Sequence, residues 1–353
     1  MKTIKFQKLI IVAAIISLLA AGCQSKEGNK PVNLTGAGAT FPQPFYSIVF
    51  KNFHEKTRNT ISYGGIGSGG GINSLKEGVV DFAGSDAFLS DKEINEIGDI
   101  VHIPTCMGAV VIAYNLPSIQ NLNLTGEIIA QIFAGQITHW DDPQIKAINE
   151  QTELPHTKIS PVYRSDGSGT TFVFTDYLSK VSENWKNQFG RGKAVSFPVG
   201  IAAKGNPGVA GVINQTEGTI GYVGSEYAFA QQLSYANLQN LSGKFVKPSP
   251  ASISAAAQGD IPEDMRCMIT NSEASEAYPI SLFTWIIVKK ELNNGKRTQA
   301  EADSLKSLLR YMISDEIQQI TEKIHYAPLP NKVKTQALKS IEELQYSNTQ
   351  SSK

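Results

Sequence analysis

Lys2, Lys5 and Lys8 precede an apolar run over residues 9–21 that is broken only by Ser17. A basic start, a short apolar stretch and small residues at its end (Ala20, Ala21, Gly22) have the form of an export signal, residues 1–22. The run is shorter than the roughly 20 apolar residues of a spanning helix. From Leu34 onward, short β-branched runs alternate with helical patterns. Strands are expected at 60–63, 79–83, 101–114, 159–164, 219–223 and 282–288. Ser90-Asp91-Lys92-Glu93 has the form of a capping box that starts a helix. Thr125 caps a helix whose Ile128, Ile129, Ile132 and Phe133 fall on one face. A short helix should run through Leu75, and further helices should lie at 170–178, 299–312 and 332–344. This alternation predicts an α/β fold with mixed, mostly parallel sheets. No composition break divides the chain into contiguous halves. A chain that crosses between two lobes more than once accounts for that, with 101–114 and 282–288 as the candidate crossing strands.

Composition narrows the function. The length of 353 residues suits about two domains. Hydrophobic residues at 41% and charged residues at 18% exclude wholesale disorder and collagen-like repeats. Lys+Arg and Asp+Glu both number 32. A nucleic-acid surface, which needs a basic excess, is therefore not expected. Loss of residues 1–22 removes three lysines and no acid, leaving 29 − 32 = −3. A protein of that charge must hold an anion with local groups, not with a global field. Leu19-Ala20-Ala21-Gly22-Cys23 resembles the lipobox of bacterial lipoproteins, in which the cysteine is acylated and becomes the mature N-terminus. The polar stretch after it makes residues 23–32 a flexible tether, and 347–353 reads as a disordered tail. Cys106 and Cys267 remain, and the sequence leaves open whether they pair or stay as buried thiols.

Four segments place small or polar groups where a strand gives way to a helix. They are Gly36-Ala37-Gly38-Ala39-Thr40-Phe41-Pro42, Gly65-Ile66-Gly67-Ser68-Gly69-Gly70-Gly71, Asp81-Phe82-Ala83-Gly84-Ser85-Asp86-Ala87 and Arg164-Ser165-Asp166-Gly167-Ser168-Gly169-Thr170-Thr171. Backbone N–H groups at a helix start are unpaired, and the dipole there favours negative charge. Glycine lets the backbone approach a ligand closely. Ser and Thr add hydroxyl donors, and Arg164 adds a planar fork suited to oxyanions. Singly, each is an ordinary turn or cap; their coincidence points to an oxyanion held by several helix starts. Gly65, Gly67 and Gly70 also match a dinucleotide fingerprint, with Asp86 as its acid, but export speaks against a nicotinamide enzyme and that reading leaves Arg164 without a role. No nucleophile elbow surrounds Ser68 or Ser168, and no phosphate-binding loop ending in Gly-Lys-[Ser/Thr] occurs. His54, His102, His139, His156 and His325 have no metal-ligand spacing. No metal and no cofactor is expected.

The chain resembles the periplasmic phosphate-binding proteins of bacterial high-affinity phosphate ABC transporters. The resemblance runs from about Leu34 to Tyr346. It is carried by the first segment, by Tyr63-Gly64-Gly65-Ile66-Gly67-Ser68 and Asp81-Phe82-Ala83-Gly84-Ser85-Asp86, and by Gly135-Gln136-Ile137-Thr138-His139-Trp140-Asp141-Asp142-Pro143, Gly205-Asn206-Pro207-Gly208-Val209-Ala210-Gly211 and Gly218-Thr219-Ile220-Gly221-Tyr222-Val223. It implies a two-lobed periplasmic-binding-protein fold of type II, with hinge strands between lobe 1 (33–104 plus 280–346) and lobe 2 (105–279). It implies dehydrated phosphate in the cleft, contacted by Thr40, the backbone N–H of Phe41, Ser68, Asp86 as acceptor of the phosphate proton, Arg164, Ser168, Gly169 and Thr170. Asp166 matches the acid that pairs with the arginine. The position after Ser68, often serine in the family, is Gly69. The implied molecule is a receptor and not an enzyme. It would be an extracytoplasmic lipoprotein, anchored by acyl chains such as palmitate on Cys23, that hands phosphate to an ABC permease.

Overall fold

The computed structural model describes residues 30–293 and 297–347. The export signal, Cys23 and most of the tether lie outside the described residues, as do 348–353. Twelve strands form among the described residues: β1 (Asn33–Gly38), β2 (Thr60–Gly65), β3 (Phe82–Ser85), β4 (Ile100–Tyr114), β5 (Asn123–Leu124), β6 (Ser160–Arg164), β7 (Ile201–Ala203), β8 (Thr219–Gly224), β9 (Ser234–Tyr235), β10 (Asn237–Gln239), β11 (Phe245–Val246) and β12 (Ser281–Lys289). The main sheet runs β2-β1-β3-β12-β4-β8-β6-β7, with β9 also paired to β4, and β11-β10-β5 form a small second sheet.

The long strand β4 belongs to both halves. Its residues from Ile100 to Ala109 pair with β12, and those from Val110 to Tyr114 pair with β8. The switch lies past the lobe boundary expected after residue 104. β4 is buried at every position from His102 onward, as expected for an apolar run covered on both faces. His102 fits there as a neutral acceptor: Leu89 N donates to its Nε2 at 3.0 Å, and burial pushes the imidazole down to about 3.

Pairing is mixed. β1 is parallel to β2 and β3, and β6 is parallel to β7 and β8. β12 and β4 run antiparallel to each other and to their flanking strands. Parallel neighbours need a crossover connection, and the helices Gln43–Thr57, Ser68–Lys76, Gly169–Val181, Glu183–Gln188 and Gly205–Gln215 supply it. The parallel pairs are thus the outer strands of each half, and β4 and β12 are antiparallel at the centre; of the two strands expected to cross, β4 pairs in both halves and β12 pairs only with β3 and β4.

Most expected elements are present. The capping box closes on helix Asp91–Ile97, Thr125 Oγ1 accepts from Ile128 N, and helix Gln299–Met312 begins at a second capping box, Thr298 with Glu301. The strand expected at 79–83 starts later, at Phe82. Gly78 takes a left-handed turn (φ +69°), Val79 N closes it onto Ser74 O, and Val79 is left two-thirds exposed. Ser347, read as the start of a loose tail, instead donates from N and Oγ to the Glu291 carboxylate at 3.0 and 2.7 Å. Cys106 is buried and Cys267 half-buried, and both are free thiols.

Candidate anion-binding site

Parallel strands end at one edge, and loops at that edge converge. The C-terminal ends of β1, β2 and β3 deliver Thr40, Ser68 and Asp86. The ends of β6, β7 and β8 deliver Arg164, Asn206 and Gly224. The shared strand β4 sets the two edges face to face, and the groups interlock there. Ser68 Oγ accepts from Asp86 N at 3.3 Å and, across the seam, from Gly169 N at 3.1 Å. Thr170 Oγ1 donates to Asp86 Oδ2 at 3.2 Å, and Thr284 Oγ1 donates to Asp86 Oδ1 at 2.9 Å. Arg164 lays its fork on Asp166, with Nε to Oδ1 at 2.8 Å and Nη2 to Oδ2 at 2.5 Å, and its Nη1 reaches Thr170 Oγ1 at 3.4 Å. Thr40, Ser68, Asp86, Arg164, Ser168 and Thr170 are all buried.

Local structure fixes each side chain. Ser168 caps helix Gly169–Val181: its Oγ accepts from Thr171 N at 3.0 Å, so its proton is left to donate. Tyr227 OH donates to Thr40 O at 2.6 Å, and Tyr326 OH to Phe41 O at 2.7 Å. The peptide between Thr40 and Phe41 is trans, so the Phe41 N–H points away from the Tyr227 hydroxyl. The Phe41 ring itself is core, edge-on to Tyr326 with centroids 5.7 Å apart.

The charges are tuned. Burial pushes the Asp86 carboxyl up to about 7, against hydrogen bonds from Thr284 and Thr170 and the charge of Arg164. Burial acts on Asp166 in the same direction, but the hydrogen bonds and charge of Arg164 and the Gly205 N–H hold it below the usual carboxylate range. One carboxylate is thus committed to the arginine, and the other is poised to change its proton near neutrality.

The glycines do something different from the close ligand approach expected of them. Gly69 N donates to Gly167 O at 2.8 Å, and the backbones of these two residues touch across the seam. Gly67 sits at φ +84°, where a side chain would run into Asp166 and Gly167 O. A Cβ on Gly169 would overlap Ser68 Oγ and lie 2.7 Å from Asp86 N. These glycines let the halves meet backbone to backbone. Gly169→Ala should therefore wedge the seam. We expect anion affinity to fall by about tenfold or more, since overpacking costs roughly 1–3 kcal/mol. The melting temperature should change little in the absence of anion, as paired titration and thermal unfolding would record.

Thr40, Ser68, Asp86, Arg164, Asp166, Gly169 and Thr170 are joined in this one hydrogen-bonded cluster, whereas Ser168 is bonded to Thr171 N and Lys193 O and Phe41 packs against Tyr326 beside it. Three further participants escaped sequence reading: Asn206, Thr284 and Tyr227. A polar residue inside the apolar run Leu282-Phe283-Thr284-Trp285-Ile286 was a usable signal for Thr284. Gly205, at φ +70° where β7 meets a helix, was one for Asn206.

Two α/β halves sharing a crossing strand, with a polar cluster buried between them, define a two-lobed solute-binding protein of the periplasmic-binding-protein class. Residues 24–316 match the model of the PBP superfamily domain. The chain is 40% identical to the phosphate-binding protein PstS of Xylella fastidiosa over 311 residues, covering 87% of this chain and 84% of the relative. It is 35% identical to PstS of Methanocaldococcus jannaschii over 339 residues, covering 87% and 86%. Among solved structures, a high-affinity periplasmic phosphate-binding protein bound with phosphate superposes with TM-score 0.68 at 21% identity, covering 86% of this chain and 92% of that one. The phosphate-binding protein from Stenotrophomonas maltophilia gives TM-score 0.65 at 20% identity, covering 87% and 93%. This chain belongs to the PstS family of phosphate-binding proteins.

Proposed function

We propose that this protein is the extracytoplasmic phosphate receptor of a phosphate ABC importer. The observation that carries the reading is the buried cluster in which Thr40, Ser68 and Asp86 from one half meet Arg164, Ser168, Gly169 and Thr170 from the other. Family membership supports it. Lobe 1 comprises 33–104 plus 280–346 and lobe 2 comprises 105–279, with β4 as the connection whose ladder to β12 continues to Ala109 before it passes to β8. Phosphate enters the open cleft and exchanges the cross-seam bonds of Ser68, Gly169 and Thr170 for bonds to its own oxygens. Thr40, the Phe41 N–H, Ser68, Arg164, Ser168, Gly169 and Thr170 donate to it; Asp86 accepts from its proton; Asp166 holds the arginine. Closure then offers the permease a surface spanning both lobes.

The relatives are named as phosphate-binding proteins, and binding without turnover is expected. The lipobox-like Leu19-Ala20-Ala21-Gly22-Cys23 supports acylation of Cys23, and no helix of the described residues is long and apolar enough to cross a membrane. Mass spectrometry of native protein should find acyl chains on Cys23; an unmodified Cys23 or an uncleaved signal would refute the anchor.

Calorimetric titration of the mature protein tests the central reading. Phosphate should bind at micromolar or lower concentration, with sulfate far weaker. Absence of phosphate binding, or equal affinity for the two anions, would refute it.

A further inference from the structure

Asn206 is fully buried at the start of helix Gly205–Gln215, and it belongs to lobe 2. Four bonds define it. Its N and its Nδ2 both donate to Thr40 Oγ1 of lobe 1, each at 3.0 Å. Nδ2 also reaches Thr170 Oγ1 at 3.2 Å, and Oδ1 accepts from Gly224 N at 3.0 Å. The last bond settles which way the amide faces. A backbone N–H can only donate, so Oδ1 must face Gly224 and the NH₂ must face the two hydroxyls.

A hydroxyl has two acceptor lone pairs and one proton. Thr40 Oγ1 has both lone pairs taken by Asn206. Thr170 Oγ1 receives Asn206 Nδ2 and Arg164 Nη1. Neither hydroxyl retains an acceptor site, so each can only donate; the Thr170 proton goes to Asp86 Oδ2 and is the one an arriving anion must take over. That is the polarity an oxyanion demands, and a guest that must donate at these positions finds nothing to accept its proton.

We propose that Asn206 is a positioning residue that presets the Thr40 and Thr170 hydroxyls as donors toward the bound anion and latches lobe 2 onto Thr40. This rests on the phosphate-receptor reading, and it adds a determinant that makes no contact with the anion itself.

Asn206→Asp is the sharpest test. It preserves shape and the acceptor to Gly224, but it offers an acceptor where the amide donated. Both hydroxyl protons then turn toward the new carboxylate and away from the anion. The phosphate Kd at neutral pH should rise about 5- to 150-fold, the range that an unsatisfied buried polar group commands. Affinity should recover in part as pH falls, because a protonated acid donates one proton to one of the two hydroxyls where the amide donated to both; the parent protein should show no such gain. A merely structural defect would not be rescued by acid. Asn206→Ala gives a second, uncharged reading: Kd should rise without acid recovery, and adding Thr40→Val should cost less than the two single effects combined. Parent-like affinity in both variants, a loss in Asn206→Asp that acid does not even partly restore, or full additivity with Thr40→Val would overturn the proposal. If the parent protein bound no phosphate, the receptor reading itself would fall, which the parent titration distinguishes.

Discussion

Arg164→Ala should raise the phosphate Kd about a thousandfold. Its side chain is 1% exposed, and its fork is spread over Asp166 and Thr170. Removing one member of a buried, hydrogen-bonded charge pair costs roughly 2–5 kcal/mol, and each 1.4 kcal/mol is a factor of about ten. Two effects add. The guest loses a planar pair of charged donors, and Asp166, released from the arginine that holds its carboxyl low, faces the site as an uncompensated acid. Arg164→Lys should restore only a small part, because an ammonium is a point charge and cannot bridge Asp166 and Thr170 in one plane. Calorimetric titration of both variants, with thermal unfolding to confirm folding, checks this. Retention of near-parent affinity by Arg164→Ala would place the anion elsewhere.

Asp86→Asn should convert a phosphate-selective site into one that also takes sulfate, narrowing the phosphate-to-sulfate affinity ratio by about 5- to 150-fold. The cause is proton bookkeeping at a buried contact. Phosphate near neutrality still carries a proton, so it and Asp86 together always have one to share. Sulfate brings none, and with the carboxylate ionised two acceptors face each other in a dry site. The sign with pH follows from burial, which raises the Asp86 carboxyl to about 7. Below that value the acid is protonated and can donate to sulfate; above it, sulfate affinity should fall by about tenfold per pH unit, the slope of one linked proton. Phosphate affinity should change much less over the same range. In Asp86→Asn the sulfate profile should become flat. Unchanged selectivity in that variant, or a pH-independent sulfate affinity in the parent, would assign Asp86 another role.

Much of this site was legible in the sequence because its signals are local. Glycine and hydroxyl residues at strand ends, an arginine with an acid two residues on and a capping serine announce themselves within a few positions. Helix caps such as Ser90 and Thr125 were legible for the same reason. The parts that were not legible depend on which edges the topology brings together. Asn206 acquires its meaning only because β7 ends beside β6, and Thr284 only because β12 lies against β3. The glycines misled in one respect: their lack of a Cβ was visible, but the object they approach, the opposite lobe, was not. The pairing direction of β4 and β12 was also hidden, since an apolar run reads the same in parallel and antiparallel ladders.

The most direct measurement is a crystal structure of the mature protein with phosphate. Expected is one anion between the lobes, within hydrogen-bond distance of Thr40, Ser68, Asp86, Arg164, Ser168, Gly169 and Thr170, with Asp166 still on the arginine. An anion bound to one lobe alone, or outside this cluster, would contradict it.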